Sequence, residues 1–539
     1  MNIKHYQRYI FSIFTGVLLS FGWSQWHLGP VLLFAFIPLL FVERFFYENR
    51  KNYRSVQVFL YAYIAFFIWN LINTWWIYYA SLFGAVAAVV LNSLFMAVVW
   101  WLFHGVHRIL GHRMGYFSLI VFWIAFEYLH LNWELSWPWL TLGYGFSANI
   151  LLVQWYDITG SLGGSFWILL TNVIAFQILY KNINGEKLAK MKFDTVLLII
   201  IIFFPIVLSV VKYYTYNEKL DPYNFVVIQP NIDPYNEKYT LSEREQIQNI
   251  LNLADSLADE NTDFVVCPET AFPTGLWEED IDTYENIKLV QDFLKKYPRI
   301  RFIIGASTYK MFDENEPVSA TARKMKHSDD YYDAYNASMQ LTSDGDIQIY
   351  HKSKLVLGVE KMPFPEFFGM FGDFALDLGG IVGSLGVQDT RDVFYANNDK
   401  AKVGVPVCYE SVYGEFITEW VNNGAGFIFV ITNDGWWEDT PGYRQHFRYS
   451  SLRAIETRRS IARSANTGIS CLINQKGDVL AKTGWWTRTA IKGSLNYNET
   501  LTYYVKHGDY IGRISAFFAI IMLLYAIVQK ILIKRKSKV

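Results

Sequence analysis

About eight stretches of this 539-residue chain are long and apolar enough to cross a lipid bilayer as helices. They lie near 9–26, 30–47, 56–80, 85–107, 115–132, 160–180, 194–214 and 509–533. Inside lipid no water satisfies backbone N–H and C=O groups, so such segments are confined to helices or closed barrels. Composition agrees: 52% of residues are hydrophobic and 18% charged, against about 25% charged in soluble domains. The sixth stretch is the weakest, because Gly160, Gly163, Gly164 and Asn172 interrupt it. The first resembles a signal peptide in length, but Ser20-Phe21-Gly22-Trp23 is a poor cleavage site, so it reads as a retained helix.

The loops assign a direction. Lys4 and Arg8 precede the first stretch, Arg44, Arg50, Lys51 and Arg54 lie at or after the end of the second, and Arg108 and Arg113 follow the fourth. Lys181, Lys187, Lys190 and Lys192 follow the sixth, and Lys530, Lys534, Arg535, Lys536 and Lys538 close the chain. The exits of the first and third, His27–Gly29 and Ser81–Gly84, carry no Lys or Arg. Basic loops are retained in the cytoplasm. Both termini are therefore expected there, with the segment before the last helix on the opposite, extracytoplasmic side. The loop near 130–158, with Trp133, Trp137, Pro138, Trp139, Gly143 and Tyr144, reads either as an interfacial aromatic belt or as a half-buried floor.

Three units are expected: a helical bundle over 1–215, an α/β domain over 216–506 and a last helix with a basic tail over 507–539. In the middle segment short β-branched runs (Phe225–Gln229, Phe264–Cys267, Phe302–Gly305, Val403–Val407, Phe427–Thr432) alternate with amphipathic stretches at 240–260 and 281–296. That alternation predicts a layered α/β fold. The net charge of −1 supplies no basic field for nucleic acid. Three cysteines, Cys267, Cys408 and Cys471, make no disulfide framework and no zinc spacing, so neither metal nor cofactor is expected.

Three residues of this segment carry chemistry when read together. Glu269 follows an apolar run in Cys267-Pro268-Glu269-Thr270, where apolar surroundings favour a general base. Lys352 follows the strand-like Ile347–Tyr350, where an ammonium can stabilise an oxyanion. Cys408 lies between Val403–Val407 and Tyr409-Glu410-Ser411, read as strand, turn and helix. That places its thiol at a helix N-terminus favouring the thiolate. Ile431-Thr432-Asn433-Asp434-Gly435-Trp436-Trp437 would border a pocket. Taken singly, each has a plain structural reading: a strand-exit carboxylate, a surface lysine, a buried thiol, a turn with surface aromatics.

In this order the motifs resemble the nitrilase, or carbon–nitrogen hydrolase, superfamily: Pro268-Glu269-Thr270, Tyr350-His351-Lys352, Cys408-Tyr409-Glu410 and Asn433-Asp434-Gly435-Trp436. A closer resemblance, over almost the whole chain, is to the bacterial apolipoprotein N-acyltransferases, including Pro138-Trp139-Leu140 with Gly143-Tyr144 and Gln229-Pro230-Asn231-Ile232. The resemblance implies an α-β-β-α sandwich inserted before the last of about eight membrane helices of a multi-pass inner-membrane protein. It implies transfer of an acyl chain from a phospholipid to Cys408 as a thioester. The chain then passes to the α-amino group of a diacylated apolipoprotein. It implies Glu269 as base, Lys352 as oxyanion stabiliser and Cys408 as nucleophile. Glu360 would support them, with Tyr409, Glu410, Asn433, Trp436 and Tyr239 around the pocket. Leu357-Gly358-Val359-Glu360 departs from the family's Pro-Phe-Gly-Glu, and Tyr239 stands near a family Trp. The competing expectation is a membrane-tethered amidase acting on small amides. The Gly- and Phe-rich segment Met362–Gly386 reads as a lid dipped in lipid.

Overall fold

The structure, a computed structural model, describes residues 3–186, 191–238, 240–313, 316–361, 384–396 and 399–536. Tyr239 and residues 362–383 of the expected lid lie outside the described residues. The chain divides into two compact units, Met1–Tyr78 with Leu82–Thr215 and His507–Val539, and Tyr79–Ser81 with Tyr216–Lys506.

The first unit is helical: α1 His5–Ser20, α2 Ile37–Glu48, α3 Val56–Thr74, α4 Leu82–Asn132, α5 Tyr156–Ile183 and α6 Lys192–Thr215. Near the C-terminus, the long helix Tyr510–Lys536 packs on α4, where Gly512 lies against the ring of Tyr128. Six helical segments among the described residues have the length and apolarity of a membrane span. That differs from the eight read from sequence for two reasons. The fourth and fifth stretches follow one another without a loop as 51 helical residues, but they are two helices meeting at Gly111 with φ 78°, and the chain folds back there so that the rings of Phe95 and His130 lie 6.3 Å apart. The first helix has only 16 residues before a 3₁₀ turn at Phe21–Trp23.

Polar side chains satisfy backbone exposed where these helices break, as an apolar environment demands. Asn172 on α5, expected as an interruption, accepts from Phe36 N at 2.8 Å and donates to Leu32 O at 2.7 Å. It thereby closes the gap between the 3₁₀ turn Gly29–Phe34 and α2. The Trp-rich loop folds into this unit as 3₁₀ turns. Glu127 accepts from Leu142 N at 2.8 Å, Tyr156 donates to Gly143 O at 3.0 Å, and Trp139 and Tyr144 are buried. These two rings are thus interior packing, not an exposed belt.

The second unit holds two sheets. Its strands are β1 Pro222–Gln229, β2 Phe264–Val266, β3 Phe272–Trp277, β4 Arg301–Met311, β5 Arg323–Lys324, β6 Tyr331–Leu341 and β7 Ile347–His351. They continue with β8 Phe394–Ala396, β9 Asp399–Gly404, β10 Phe427–Thr432, β11 Ser460–Ala465, β12 Cys471–Ile473, β13 Val479–Lys482 and β14 Thr489–Asn496. Among the described residues one sheet runs β14-β1-β2-β4-β6-β5, with β3 on β4 and β7 on β6, and the other runs β13-β12-β11-β10-β9-β8. β1, β2 and β4 are mutually parallel, as are β9, β10 and β11.

Helices α7 Glu243–Asp255 and α8 Glu285–Lys296 cover the first sheet, burying Ile247, Ile250, Leu251, Ile287, Val290 and Leu294 at helical spacing. Ser242 caps α7 by accepting from Glu245 N. Helices α9 Gly414–Asn422 and α10 Pro441–Thr457 pack on the second sheet. The inner faces meet through Phe225 and Phe264, stacked at 5.2 Å, with Phe427 edge-on to Phe225 at 5.3 Å and Phe429 edge-on to Phe264 at 5.1 Å. The result is an α-β-β-α sandwich. Removing a central ring from this seam leaves a cavity: Phe225→Ala is expected to cost about 3–5 kcal/mol and Phe225→Leu much less. Thermal unfolding in detergent checks this.

Candidate active site

The three residues singled out by sequence reach one place because neighbouring strands end there. β2 delivers Glu269. Although Pro268 has no N–H to donate, its carbonyl accepts from Gly305 N at 3.0 Å, so pairing with β4 runs through the proline itself. Thr270 then turns the chain with φ 50°. A Cβ at Gly305 would lie 2.5 Å from Thr270 N and 2.6 Å from Glu269 Cα, so this glycine gives the turn its room. Lys352 follows β7, its backbone N donating to Asn336 O at 2.8 Å.

Their side chains form a buried ionic cluster. Lys352 Nζ lies 2.8 Å from Glu360 Oε1 and 3.3 Å from Glu269 Oε1. Asn336 Nδ2 donates to both carboxylates, at 2.8 Å to Glu269 and 2.9 Å to Glu360. Asn433 N donates to Glu269 Oε2 at 3.1 Å, and Val356 N to Glu360 Oε2 at 2.8 Å. Burial pulls the Lys352 ammonium down, but Glu360, Glu269 and Cys408 outweigh it and hold the ammonium above its ordinary value. It is a fixed cation.

Cys408 is buried, within the fields of Glu269, Lys352 and Asp434. The structure corrects the helix-terminus reading. Cys408 opens a 3₁₀ turn, Cys408–Val412, and α9 begins only at Gly414. Its φ is 52°, a left-handed conformation costing a non-glycine residue on the order of 1–3 kcal/mol. Burial, then the charge of Glu269, push the thiol up, against the pull of Lys352. The resting group is a thiol that needs a base to attack.

The other candidates divide. Glu410 is fully buried as a brace: it accepts from Val407 N at 2.7 Å, Ser353 N at 2.7 Å and Tyr350 Oη at 2.8 Å, joining the cysteine turn to the lysine strand. Burial raises its pKa. Tyr409 is buried edge-on to Tyr413 at 5.2 Å. Asn433 Oδ1 accepts from Gly435 N, Asn466 Nδ2 and Thr467 Oγ1. Trp436 is half-buried against Tyr235, whose hydroxyl donates to Trp436 O at 2.9 Å. Cys267, just past β2, and Cys471, on β12, are buried, as read. Among the described residues no His, Cys, Asp or Glu group is arranged to hold a metal.

Sequence reasoning passed over Asn336 and Lys238. Asn336 is an amide inside a strand, where such residues are depleted, and that oddity was its only signal. Lys238 is 5% exposed, shares a small cavity with Glu269, Gln246 and Asn466, and has no ion-pair partner among the described residues. Burial pulls its ammonium down to about 8, against the opposing pull of Glu269.

Two outcomes follow from this geometry. Gly305→Ala pushes into the Glu269 turn and should lower turnover at least tenfold while costing about 1–3 kcal/mol of stability; activity and melting temperature measure both. Lys238 titrates lower folded than unfolded, so the unfolded chain binds more protons between about pH 8 and 10.4, and stability from this group rises across that window. Lys238→Met should therefore be more stable than the parent at pH 7, by up to about 3 kcal/mol, with the gap closing by pH 10 in melts across pH.

The family profile described as Carbon-nitrogen hydrolase matches residues 227–502, and the one described as Apolipoprotein N-acyltransferase N-terminal domain matches residues 15–174. An apolipoprotein N-acyltransferase of Chlorobaculum tepidum is 28% identical over 96% of both chains. One from Geobacter metallireducens is 26% identical over 93% of this chain and 92% of its own. Among solved structures, Nit3 of Saccharomyces cerevisiae, from branch 10 of the nitrilase superfamily, overlays 51% of this chain and 90% of its own at 13% identity and a TM-score of 0.36. The chain belongs to the carbon–nitrogen hydrolase family, in the membrane-bound branch that carries the apolipoprotein N-acyltransferase N-terminal domain.

Proposed function

We propose that this chain is an apolipoprotein N-acyltransferase working through a thioester on Cys408. The observation that carries the reading is a buried thiol, pushed up by burial, in the field of a carboxylate and a fixed ammonium, on a chain with a matching membrane half. Glu269 takes the thiol proton as sulfur attacks the ester carbonyl of a phospholipid. Lys352 balances the charge that develops on the carbonyl oxygen. The acyl C–O bond breaks, the proton returns to the departing lysophospholipid alkoxide, and the acyl chain stays on sulfur. The α-amino group of a diacylated apolipoprotein then attacks the thioester, an amide forms, and the Cys408 thiol is restored. This is a two-stage, ping-pong exchange. Glu360 and Asn336 keep Lys352 and Glu269 in register.

Burial of the thiol suits the need to exclude water while a hydrolysable thioester waits for an amine. The basic loops support both termini in the cytoplasm and residues 216–506 on the periplasmic face of the inner membrane, where exported lipoproteins and outer-leaflet phospholipid are found. The N-terminal domain match favours this reading over small-amide hydrolysis, which needs no membrane half.

Incubation with a labelled phospholipid, followed by mass analysis of the Cys408 peptide, should reveal an acyl adduct that a diacylated lipopeptide discharges. Cys408→Ala should abolish both stages, and Glu269→Gln should slow adduct formation by about 10²–10⁴. Turnover of soluble amides with no adduct would instead establish the hydrolase.

A further inference from the structure

Behind the nucleophile lies a second buried polar chain that the proposed acyl transfer does not use. His446 on α10, Asp434, Arg463 on β11 and Ser411 are each 0% exposed. His446 Nε2 lies 3.2 Å from the carbonyl oxygen of Cys408 and 3.0 Å from Ser411 Oγ. Ser411 Oγ donates to that same carbonyl at 2.7 Å, so it meets Nε2 as an acceptor. Nε2 thus faces two acceptors and must carry the hydrogen. On the other side, His446 Nδ1 lies 2.9 Å from Arg463 Nη2 and 2.9 Å from Asp434 Oδ1, while Arg463 Nη2 pairs with Asp434 Oδ2 at 3.0 Å. Nδ1 thus meets a donor in Arg463 and an acceptor in the Asp434 carboxylate, and the hydrogen on Nε2 follows from the two acceptors on its own side of the ring. Burial pulls this imidazole below its ordinary value, against the raising effect of Asp434.

The carbonyl so held belongs to the residue with φ 52°. A left-handed cysteine persists only where its surroundings over-determine it. A buried imidazole held between an arginine and an aspartate supplies that surrounding from behind the turn, while the Ser411 hydroxyl, three residues on, meets the same oxygen only as a local turn contact.

We propose that His446 is a positioning residue for the nucleophile: its Nε2–H anchors the Cys408 carbonyl and keeps the thiol in the conformation that shares a field with Glu269 and Lys352. The inference rests on Cys408 being the nucleophile, as in the function proposed above. It adds a residue outside the Glu–Lys–Cys set, acting through the backbone and not on the substrate.

Two substitutions separate the two ring nitrogens. In His446→Gln the side-chain amide reaches the Nε2 position and restores a donor there; in His446→Asn the amide reaches only as far as Nδ1. Cys408 reactivity is read by the rate of iodoacetamide alkylation in the full-length protein in detergent, and turnover by kcat and KM with labelled phospholipid and a diacylated lipopeptide. The expected result is at least a tenfold loss of alkylation rate and kcat in His446→Asn, with KM unchanged, and values within about threefold of the parent in His446→Gln. Equal losses in both variants, in step with a lower melting temperature, would overturn the anchor and leave a packing role; so would parent-like rates in both. Ser411→Ala keeps the histidine and should stay within threefold; a tenfold loss there would make the serine the anchor and overturn the proposal even should His446→Asn fail to fold. Alkylation reads the thiol without any acyl donor. Parent protein that alkylates normally but transfers no acyl chain therefore counts against the proposed function and leaves the anchor standing.

Discussion

Everything in the catalytic unit is arranged around an ammonium shared by two carboxylates out of contact with bulk water. Lys352 bonds Glu360 and Glu269, and Asn336 bonds the same two oxygens from the side. Charges in such surroundings interact several times more strongly than in water, and an unmatched one is correspondingly costly. The cluster is stable only as a set. It leaves Lys352 permanently cationic while Glu269 keeps one oxygen turned to the Asn433 amide. The neighbouring thiol feels both signs. Its rise above the ordinary thiol value shows that burial and the nearby carboxylate outweigh the ammonium, and that is why base assistance, not a standing thiolate, fits this site.

The fold supplies this set by bringing strand ends together across two sheets. Glu269 leaves β2, Lys352 leaves β7, and Cys408 follows β9 in the other sheet. The stacked and edge-on phenylalanines between the sheets hold those ends at a fixed separation, and Glu410 ties the cysteine turn to the lysine strand by accepting from Ser353 N and Tyr350 Oη. A pleated sheet permits such placement because its strand ends are rigid, whereas loops alone would leave each group an independent conformational freedom. The helical unit obeys the same accounting of polar groups by different means: Asn172 and Glu127 serve backbone that apolar surroundings would otherwise strand.

Much of this was legible in the residues. The strands around Phe225, Phe264, Phe302 and Phe427 and the helices near 243–255 and 285–296 follow their hydrophobic periods, since those periods are what burial acts upon. Glu269, Lys352 and Cys408 stood out because each follows an apolar run that must end at a sheet edge. The cysteine's setting was read the wrong way. The pattern of strand, turn and polar residues promised a helix terminus, and the chain instead makes a strained 3₁₀ turn braced from behind. Asn336 gave only the weak signal of an amide inside a strand, and Lys238 and His446 gave none, because a lysine in a polar loop and a histidine on a helix are ordinary until their neighbours are known.

The amino-acid order alone determined that the chain must house apolar helices alongside a layered α/β unit, and where reactive side chains would emerge from its strands. It did so because hydrophobic periodicity and breaks in it are local properties, read within a dozen residues. Only the tertiary structure decided which charges became mutual partners and which way the thiol was shifted. It alone decided which backbone carbonyl a distant imidazole came to hold. Those outcomes depend on desolvation and on distances between residues tens to more than a hundred positions apart, and neither quantity exists before the sheets have packed.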